Sequence, residues 1–338
     1  MVRIGIAGIG FMGVTHYKAI AKVKHAKVRA ICTRDKRKLN GDWRSVQGNF
    51  GASGGMQKLS EVACYETLQD LLNDDSIDLV HICLPTNLHV EWTLKAFAAG
   101  KHVFLEKPIA LTLADANRLV TAAKSAGVCF MVAHVLRFFP EFRILKNFVS
   151  EQKYGRVLAA HFKRVISRPV WWDPKNMMRT GGPAIDLHIH DADFVRYLFG
   201  MPDAVSSTGV IGRGDVVEHL DTLYHFESGP TVSAHAGWLA QSACKFEHGY
   251  DVYFENATLK YNSSTGQSPI ILSPDGRIRK PRLPGQDGFV GEIQEAVDAI
   301  RKGSNCAILS GENGRDSLKL CLREIRSVRT GRRVVVDN

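Results

Sequence analysis

The sequence predicts an α/β fold in two parts. A doubly wound parallel sheet comes first, followed by an α+β domain with a large, mostly antiparallel open sheet. Three observations predict it. Short apolar runs alternate with amphipathic helical patterns through the first third of the chain. A glycine-rich turn, Gly8-Ile9-Gly10-Phe11-Met12-Gly13, separates the first apolar run from the first helical pattern. After about residue 130 that alternation stops and runs with a period of two take over.

Val2–Ala7, Val28–Thr33, Ile77–Cys83, His102–Leu105 and Val128–Ala133 are largely apolar, as strands covered on both faces must be. Between them, Glu91–Ala99 and Ala114–Ala126 carry helical periodicity, and Gly100 and Gly127 stand at the C-cap positions. Strand–helix–strand repetition with right-handed crossovers makes a parallel, doubly wound sheet. Residues 40–56 break the rhythm: Gly41, Gly48, Gly51, Gly54 and Gly55 predict a long flexible excursion before a strand near Ala63–Tyr65. Further on, a helix is expected over Pro140–Val149 and a long strand over Val157–Ile166. Thr231–Trp238 sets Val232, Ala234, Ala236 and Trp238 on one face, and Tyr250, Val252 and Phe254 repeat that pattern. Two late helices, Phe289–Ile300 and Asp316–Val328, carry apolar stripes. The expected domains are residues 1–127 and 128–338.

At 338 residues, 45% hydrophobic and 23% charged, the chain is too long for one core and has the balance of a soluble globular protein. No apolar run approaches the roughly 20 residues that span a bilayer, and Met1-Val2-Arg3-Ile4-Gly5 reads directly into a strand, so no signal peptide is expected. Seven cysteines, an odd number without a CxxC pair, read as reduced thiols and point to the cytoplasm. The net charge of +10 admits a nucleic acid, an acidic membrane or a phosphorylated ligand. The basic runs Arg277–Arg282 and Arg323–Arg333 lack interleaved aromatics and read as solvated faces, so neither nucleic acid nor membrane is expected as a partner.

The glycine turn has the spacing a dinucleotide requires. Gly8 permits the tight turn, Gly10 lets the backbone approach a pyrophosphate, and Gly13 lets the helix pack on the strand. Phe11 and Met12 open the helix, whose N-terminal N–H groups face the phosphates. Twenty residues beyond Gly13 stands Thr33, followed by Arg34, where an acid would bind the ribose of NAD. A hydroxyl beside a guanidinium, with Lys36, Arg37 and Lys38 just beyond, suits a 2′-phosphate and favours NADP(H) over NAD(H). The competing reading makes Arg34–Lys38 a solvated helix start, with Asp35 in the acid's place.

Two segments carry more specific information: Leu84-Pro85-Thr86-Asn87-Leu88-His89, and Ala99-Gly100-Lys101-His102-Val103-Phe104-Leu105-Glu106-Lys107-Pro108. Together with Leu136–Pro140, Gly181–Asp191 and Arg329–Arg332 they closely resemble the Gfo/Idh/MocA oxidoreductases, over essentially the whole chain. The resemblance implies a Rossmann domain and a second domain whose open sheet forms a homodimer or homotetramer. It implies Lys107 as the catalytic lysine and Glu106 beside the nicotinamide ribose. Leu84, Pro85, Asn87 and His89 would contact the cofactor, and Asp186 and His190 would complete the catalytic set. Independently, Lys107 follows the fifth strand, at the carboxyl edge where doubly wound sheets bind ligands. An ammonium there can stabilise a developing oxyanion. Asp186 and His190 are four apart and would share one face of a helix, with the imidazole as proton acceptor.

His188 and His190 spell His-x-His, but no further ligand set surrounds them, so no metal is expected. Arg137, Trp172 and His188 are candidate substrate contacts, with packing roles as the alternative. Trp238, Tyr250 and Phe254 would favour association through exposed sheet faces. The expected activity is hydride transfer between nicotinamide and a secondary alcohol or ketone of a sugar, inositol or related polyol. The alternatives are glycoside cleavage by transient oxidation and a nucleotide-sensing regulator of the same fold.

Overall fold

The computed structural model describes residues 1–48, 53–168, 179–285 and 287–336. Its helices in chain order are α1 (Phe11–Ile20), α2 (Lys36–Leu39), α3 (Leu68–Leu72), α4 (His89–Ala98) and α5 (Leu113–Ala126). They continue as α6 (Pro140–Ser150), α7 (Pro183–Asp186), α8 (Ile189–Phe199), α9 (Gly288–Arg301) and α10 (Gly311–Thr330). The chain divides into two units, Met1–Val135 with Asp287–Arg315, and Leu136–Gln286 with Asp316–Asn338.

In the first unit, β1 (Val2–Ala7), β2 (Ala26–Cys32), β3 (Ala63–Tyr65), β4 (Leu79–Ile82), β5 (His102–Glu106) and β6 (Phe130–Ala133) form one sheet. The order is β3-β2-β1-β4-β5-β6, and every neighbouring pair is parallel. The order reverses at β1 and β4, the switch point where such sheets bind ligands. All four residues of β4 and of β6 are buried, which is why these strands read as largely apolar runs, with His81 the one polar side chain in β4. Thr112 caps α5 by accepting the Asp115 N–H, and Gly127 ends it with a φ of +66°.

A cut at residue 127 misplaces two pieces. Strand β6 pairs with β5 from Val103↔Phe130 to Glu106↔Ala133, so it belongs to the first unit. The chain also returns to that unit with α9 and the start of α10. Asp287 caps α9 through the Phe289 and Val290 N–H groups, and Gln294 accepts the Lys24 N–H at 2.7 Å. Gly311 and Gly314 lie so close to Phe130 and Val132 that a Cβ at either would collide with those side chains.

The glycine-rich segment is ordered where it is described. Trp43 is fully buried, its indole N–H donates to the Lys38 carbonyl at 2.8 Å, and its ring meets Tyr17 edge-on. Backbone bonds from Trp43 to Gly55 and from Gly54 to Val46 close the loop. One aromatic anchor supplies the core that the glycine count conceals; Gly51 lies outside the described residues.

The second unit holds nine strands in the order β14-β13-β12-β11-β7-β10-β9-β8-β15. Its long members are β7 (Val157–Ser167), β8 (Ala204–Ile211), β9 (Val217–His225), β10 (Thr231–Ala240) and β11 (Glu247–Phe254). The short ones are β12 (Thr258–Asn262), β13 (Ile270–Leu272), β14 (Ile278–Arg279) and β15 (Val334–Val335). Only β7 and β10 pair in parallel. One face packs on α6 and α8 around Phe142, Phe162, Phe194 and Val232. Trp238, Tyr250 and Phe254 are buried too, which corrects the expectation that they line an exposed face. Strand alternation places other side chains outward instead: Leu239 is 42% exposed, Leu223 40% and Tyr253 39%, while Leu158, 51% exposed, is the extra residue at a bulge between β7 and β11. No helix among the described residues is long and apolar enough to cross a membrane.

Candidate active site

At the glycine loop, each glycine has its own structural reason. Gly8 has a φ of +95°, and a Cβ there would lie 2.6 Å from the Cys83 carbonyl oxygen. A Cβ on Gly13 would strike the Gly8 carbonyl, whereas one on Gly10 would meet nothing within 4 Å. Helix α1 starts at Phe11 without a side-chain cap, so its first N–H groups remain available to an anion. This loop fits a dinucleotide.

At the end of β2, Thr33 Oγ1 accepts the Asp35 N–H at 3.3 Å. Asp35 caps α2 and pairs with Arg37, whose hydrogen bond holds the carboxyl below its ordinary pKa. Arg34 is exposed beside it. Lys38 is the informative neighbour: its ammonium donates to the Ile9 carbonyl at 2.8 Å, which brings a cation onto the glycine loop itself. The basic run therefore does more than coat a solvated helix.

The turn after β4 carries Leu84, Pro85 and Asn87, and Pro85 and Asn87 are exposed. Asn87 does not cap the next helix, which starts after Leu88 without a side-chain cap. His89 lies inside, with Nδ1 2.8 Å from the Pro108 carbonyl oxygen and Nε2 2.9 Å from that of Leu84. Burial lowers its pKa, while the two carbonyls and Glu106 oppose that shift. The ring braces two turns, those after β4 and β5.

Glu106 closes β5 and is nearly buried. One carboxyl oxygen is 2.9 Å from His16 Nε2, and the other accepts the backbone N–H of Lys107 at 3.2 Å. Burial pushes the Glu106 pKa up, but His16, Lys107 and His89 outweigh it and hold the group below the usual glutamate value. His16 stands on α1, so one short side-chain contact ties the phosphate-facing helix to the residue before the candidate lysine. Its Nδ1 lies 3.1 Å from His81 Nδ1 and 3.4 Å from Cys83 Sγ. Burial drives His81 well below the ordinary histidine pKa, so its ring is neutral. Nothing in the spacing of His16, His81 and Glu106 announced this buried chain. Lys107 itself is partly exposed at the carboxyl edge of the sheet.

In the second unit, Asp186 and His190 do not share one helix. Helix α7 ends at Asp186, Leu187 and His188 form a turn, and α8 begins at Ile189. Gly182, with a φ of +76°, starts this segment and accepts the Asp186 N–H at 2.7 Å. Both side chains remain partly exposed. Around them α8 is fastened by buried ion pairs. Asp191 accepts two bonds from Arg164, at 2.6 and 3.2 Å. Asp193 accepts two from Arg137, at 2.8 and 2.6 Å, and another from Ser317 Oγ at 2.6 Å. His188 Nε2 lies 2.9 Å from Glu324, and although burial alone would lower its pKa, Glu324 raises it.

These bonds change the reading of two candidate substrate contacts. Arg137 and His188 are buried, with the Arg137 guanidinium on Asp193 and His188 Nε2 on Glu324. Trp172 lies outside the described residues. Among the described residues, no group of three or more His, Cys, Asp or Glu side chains is placed to hold a metal.

The chain is 27% identical to myo-inositol 2-dehydrogenase of Thermotoga maritima, over 97% of its own length and 98% of that protein's. It is 29% identical to 2,7-anhydro-N-acetylneuraminate hydratase of Escherichia coli, covering 92% of this chain and 78% of that one. Levoglucosan dehydrogenase, solved with NADH and levoglucosan, superposes with a TM-score of 0.84 at 20% identity, with the whole of each chain covered. Residues 2–134 match the oxidoreductase family with an NAD-binding Rossmann fold, and residues 142–260 match the GFO/IDH/MocA C-terminal domain. The chain is a member of the Gfo/Idh/MocA oxidoreductase family.

Proposed function

We propose that this oxidoreductase is a dehydrogenase of a sugar, inositol or related polyol, with NADP(H) preferred over NAD(H). The observation that carries the reading is the His16–Glu106–Lys107 chain, which ties the backbone of the candidate lysine, through the Glu106 carboxylate, to the helix that begins at the glycine loop. Gly8, Gly10, Phe11, Met12 and Gly13 would hold the pyrophosphate. Thr33, Arg34 and Lys38 would hold the ribose 2′-phosphate, and Leu84, Pro85, Asn87 and Glu106 would line the remainder. When bound, the nicotinamide supplies the hydride acceptor or donor. Lys107 donates a hydrogen bond to the reacting oxygen and stabilises charge developing on it. His190 takes the hydroxyl proton as the carbonyl forms and returns it in the reverse direction. Asp186 binds the substrate hydroxyl or orients the imidazole.

Dehydrogenases of inositol and levoglucosan among the relatives support the substrate class. A relative named as a hydratase keeps a second reading in view, in which oxidation is transient and the cofactor shows no net turnover. The exposed Leu223, Leu239 and Tyr253 support a homodimer or homotetramer through the open sheet face. Seven unpaired cysteines support a cytoplasmic location.

A panel of sugars and polyols, followed by nicotinamide absorbance with each cofactor, tests the proposal. Net reduction of NADP should accompany oxidation of at least one polyol and be lost in Lys107→Ala and His190→Ala. Conversion of a glycoside or anhydrosugar with no absorbance change would select the second reading.

A further inference from the structure

We propose that an arginine-lined hollow at the end of α10 binds a small, multiply charged phosphate compound. The hollow measures about 560 Å³ and is lined by Arg323, Arg326, Thr330, Arg332 and Arg333. That size suits a small ligand. Beside it lies a second hollow of about 370 Å³, lined by Ser206, Ser207, Thr208 and Asp221 and sharing Arg332 and Arg333. Asp221 is the one carboxylate among the residues lining the pair. The glycine loop belongs to the other unit.

The pairing of the arginines points to a ligand. Arg329 is neutralised by Asp215 at 2.9 Å. Arg326, Arg332 and Arg333 make no salt bridge among the described residues. Arg323, Arg326 and Arg329 follow at intervals of three along one helix, a spacing at which like charges repel. One cation near the last turn offsets the helix dipole. The further guanidiniums of Arg332 and Arg333, beyond the helix, add repulsion in a chain that already carries +10.

Their backbone is held firmly. Ser327 is buried, its Oγ accepts the Ser207 N–H at 2.8 Å and donates to the Arg332 carbonyl at 2.6 Å. The Gly331 N–H bonds Ser327 O at 2.9 Å, and Val334 pairs with Val205 in the sheet. Arg332 and Arg333 therefore project from a fixed base, so little backbone ordering would be charged to binding. Guanidinium forks match phosphate oxygens two at a time and favour a dianion over a monocarboxylate. Neither lining carries a Phe, Tyr or Trp on which bases would stack, which argues for a compact ligand over a nucleic-acid strand.

Calorimetry on the full chain tests this, with the nicotinamide cofactor at saturation so that the glycine loop is filled. Inorganic pyrophosphate is the titrant, and inorganic phosphate the weaker comparison. One saturable site per chain is expected, weakened by added salt. Arg332→Gln/Arg333→Gln should weaken it by roughly tenfold or more, with cofactor affinity unchanged as the control for folding. Arg326→Gln, on the rigid helix, should weaken it independently. No saturable binding to the parent protein would overturn the proposal, as would a pyrophosphate affinity indifferent to these substitutions. A change in oligomeric mass in the double variant without any pyrophosphate site would also overturn it, assigning these cations to a second copy of the chain.

Discussion

Glu292→Gln should stabilise the protein progressively as pH rises. Glu292 lies on the inner side of α9, is fully buried, and neither carboxyl oxygen has a hydrogen-bond partner among the described residues. Burial first, then the negative charges of Glu106 and Asp287, push its pKa well above the ordinary glutamate value. A buried acid of this kind is held neutral, because an unpaired carboxylate there would be costly. The sign follows from linkage. With the folded pKa raised, the folded state holds the proton more tightly than the unfolded state. The resulting stability is present in full below the unfolded pKa and is lost as pH climbs towards the folded one. Between those limits the loss is about 1.4 kcal/mol per pH unit. The amide of the variant cannot titrate, so the variant should lack this slope. For a cooperative unit of this size, 1.4 kcal/mol corresponds to roughly 3–6 °C in Tm. Melting curves or urea midpoints from pH 5 to 9 would measure the difference between the two proteins. An unmatched amide hydrogen bond would shift every point equally, so the slope is the diagnostic quantity. A difference that stays flat with pH, or that turns against the variant at alkaline pH, would refute the neutral-acid reading and mean that Glu292 is ionised and paired.

Three other outcomes follow. Thr33→Asp should move the kcat/KM preference from NADP towards NAD by about tenfold to a hundredfold, the worth of one or two charge-assisted bonds. Lys38→Ala should lower kcat/KM for NADP more than for NAD, with Lys38→Arg retaining it. An unchanged cofactor ratio in both Thr33→Asp and Lys38→Ala would remove the 2′-phosphate assignment. Arg137→Leu leaves Asp193 charged, buried and short of two bonds, so unfolding free energy should fall by about 3–5 kcal/mol. If stability is instead unchanged while KM for the polyol rises, Arg137 contacts substrate after all.

What could be read in advance depended on whether the signal was local. Strands β1, β4, β5 and β6 announce themselves because both faces are covered, and the glycine turn because backbone conformation and close approach demand those residues at that spacing. Trp238, Tyr250 and Phe254 show where local information ends. Period two reveals that they share a face, but which face is covered depends on the helices α6 and α8 packing against the sheet. Helical spacing likewise placed Asp186 and His190 on one face, whereas the chain breaks into two short helices at Leu187 and His188. The buried polar pairs are the least legible, since His16 and Glu106 are 90 residues apart and Arg137 and Asp193 are 56 apart. Each would be expensive alone and is tolerated only with its partner, so neither member can be interpreted until the fold has brought both together. That same dependence is why Arg137 and His188, polar residues in a motif-rich region, invited a substrate role. A buried cation needs an anion, and here the protein supplies it from within.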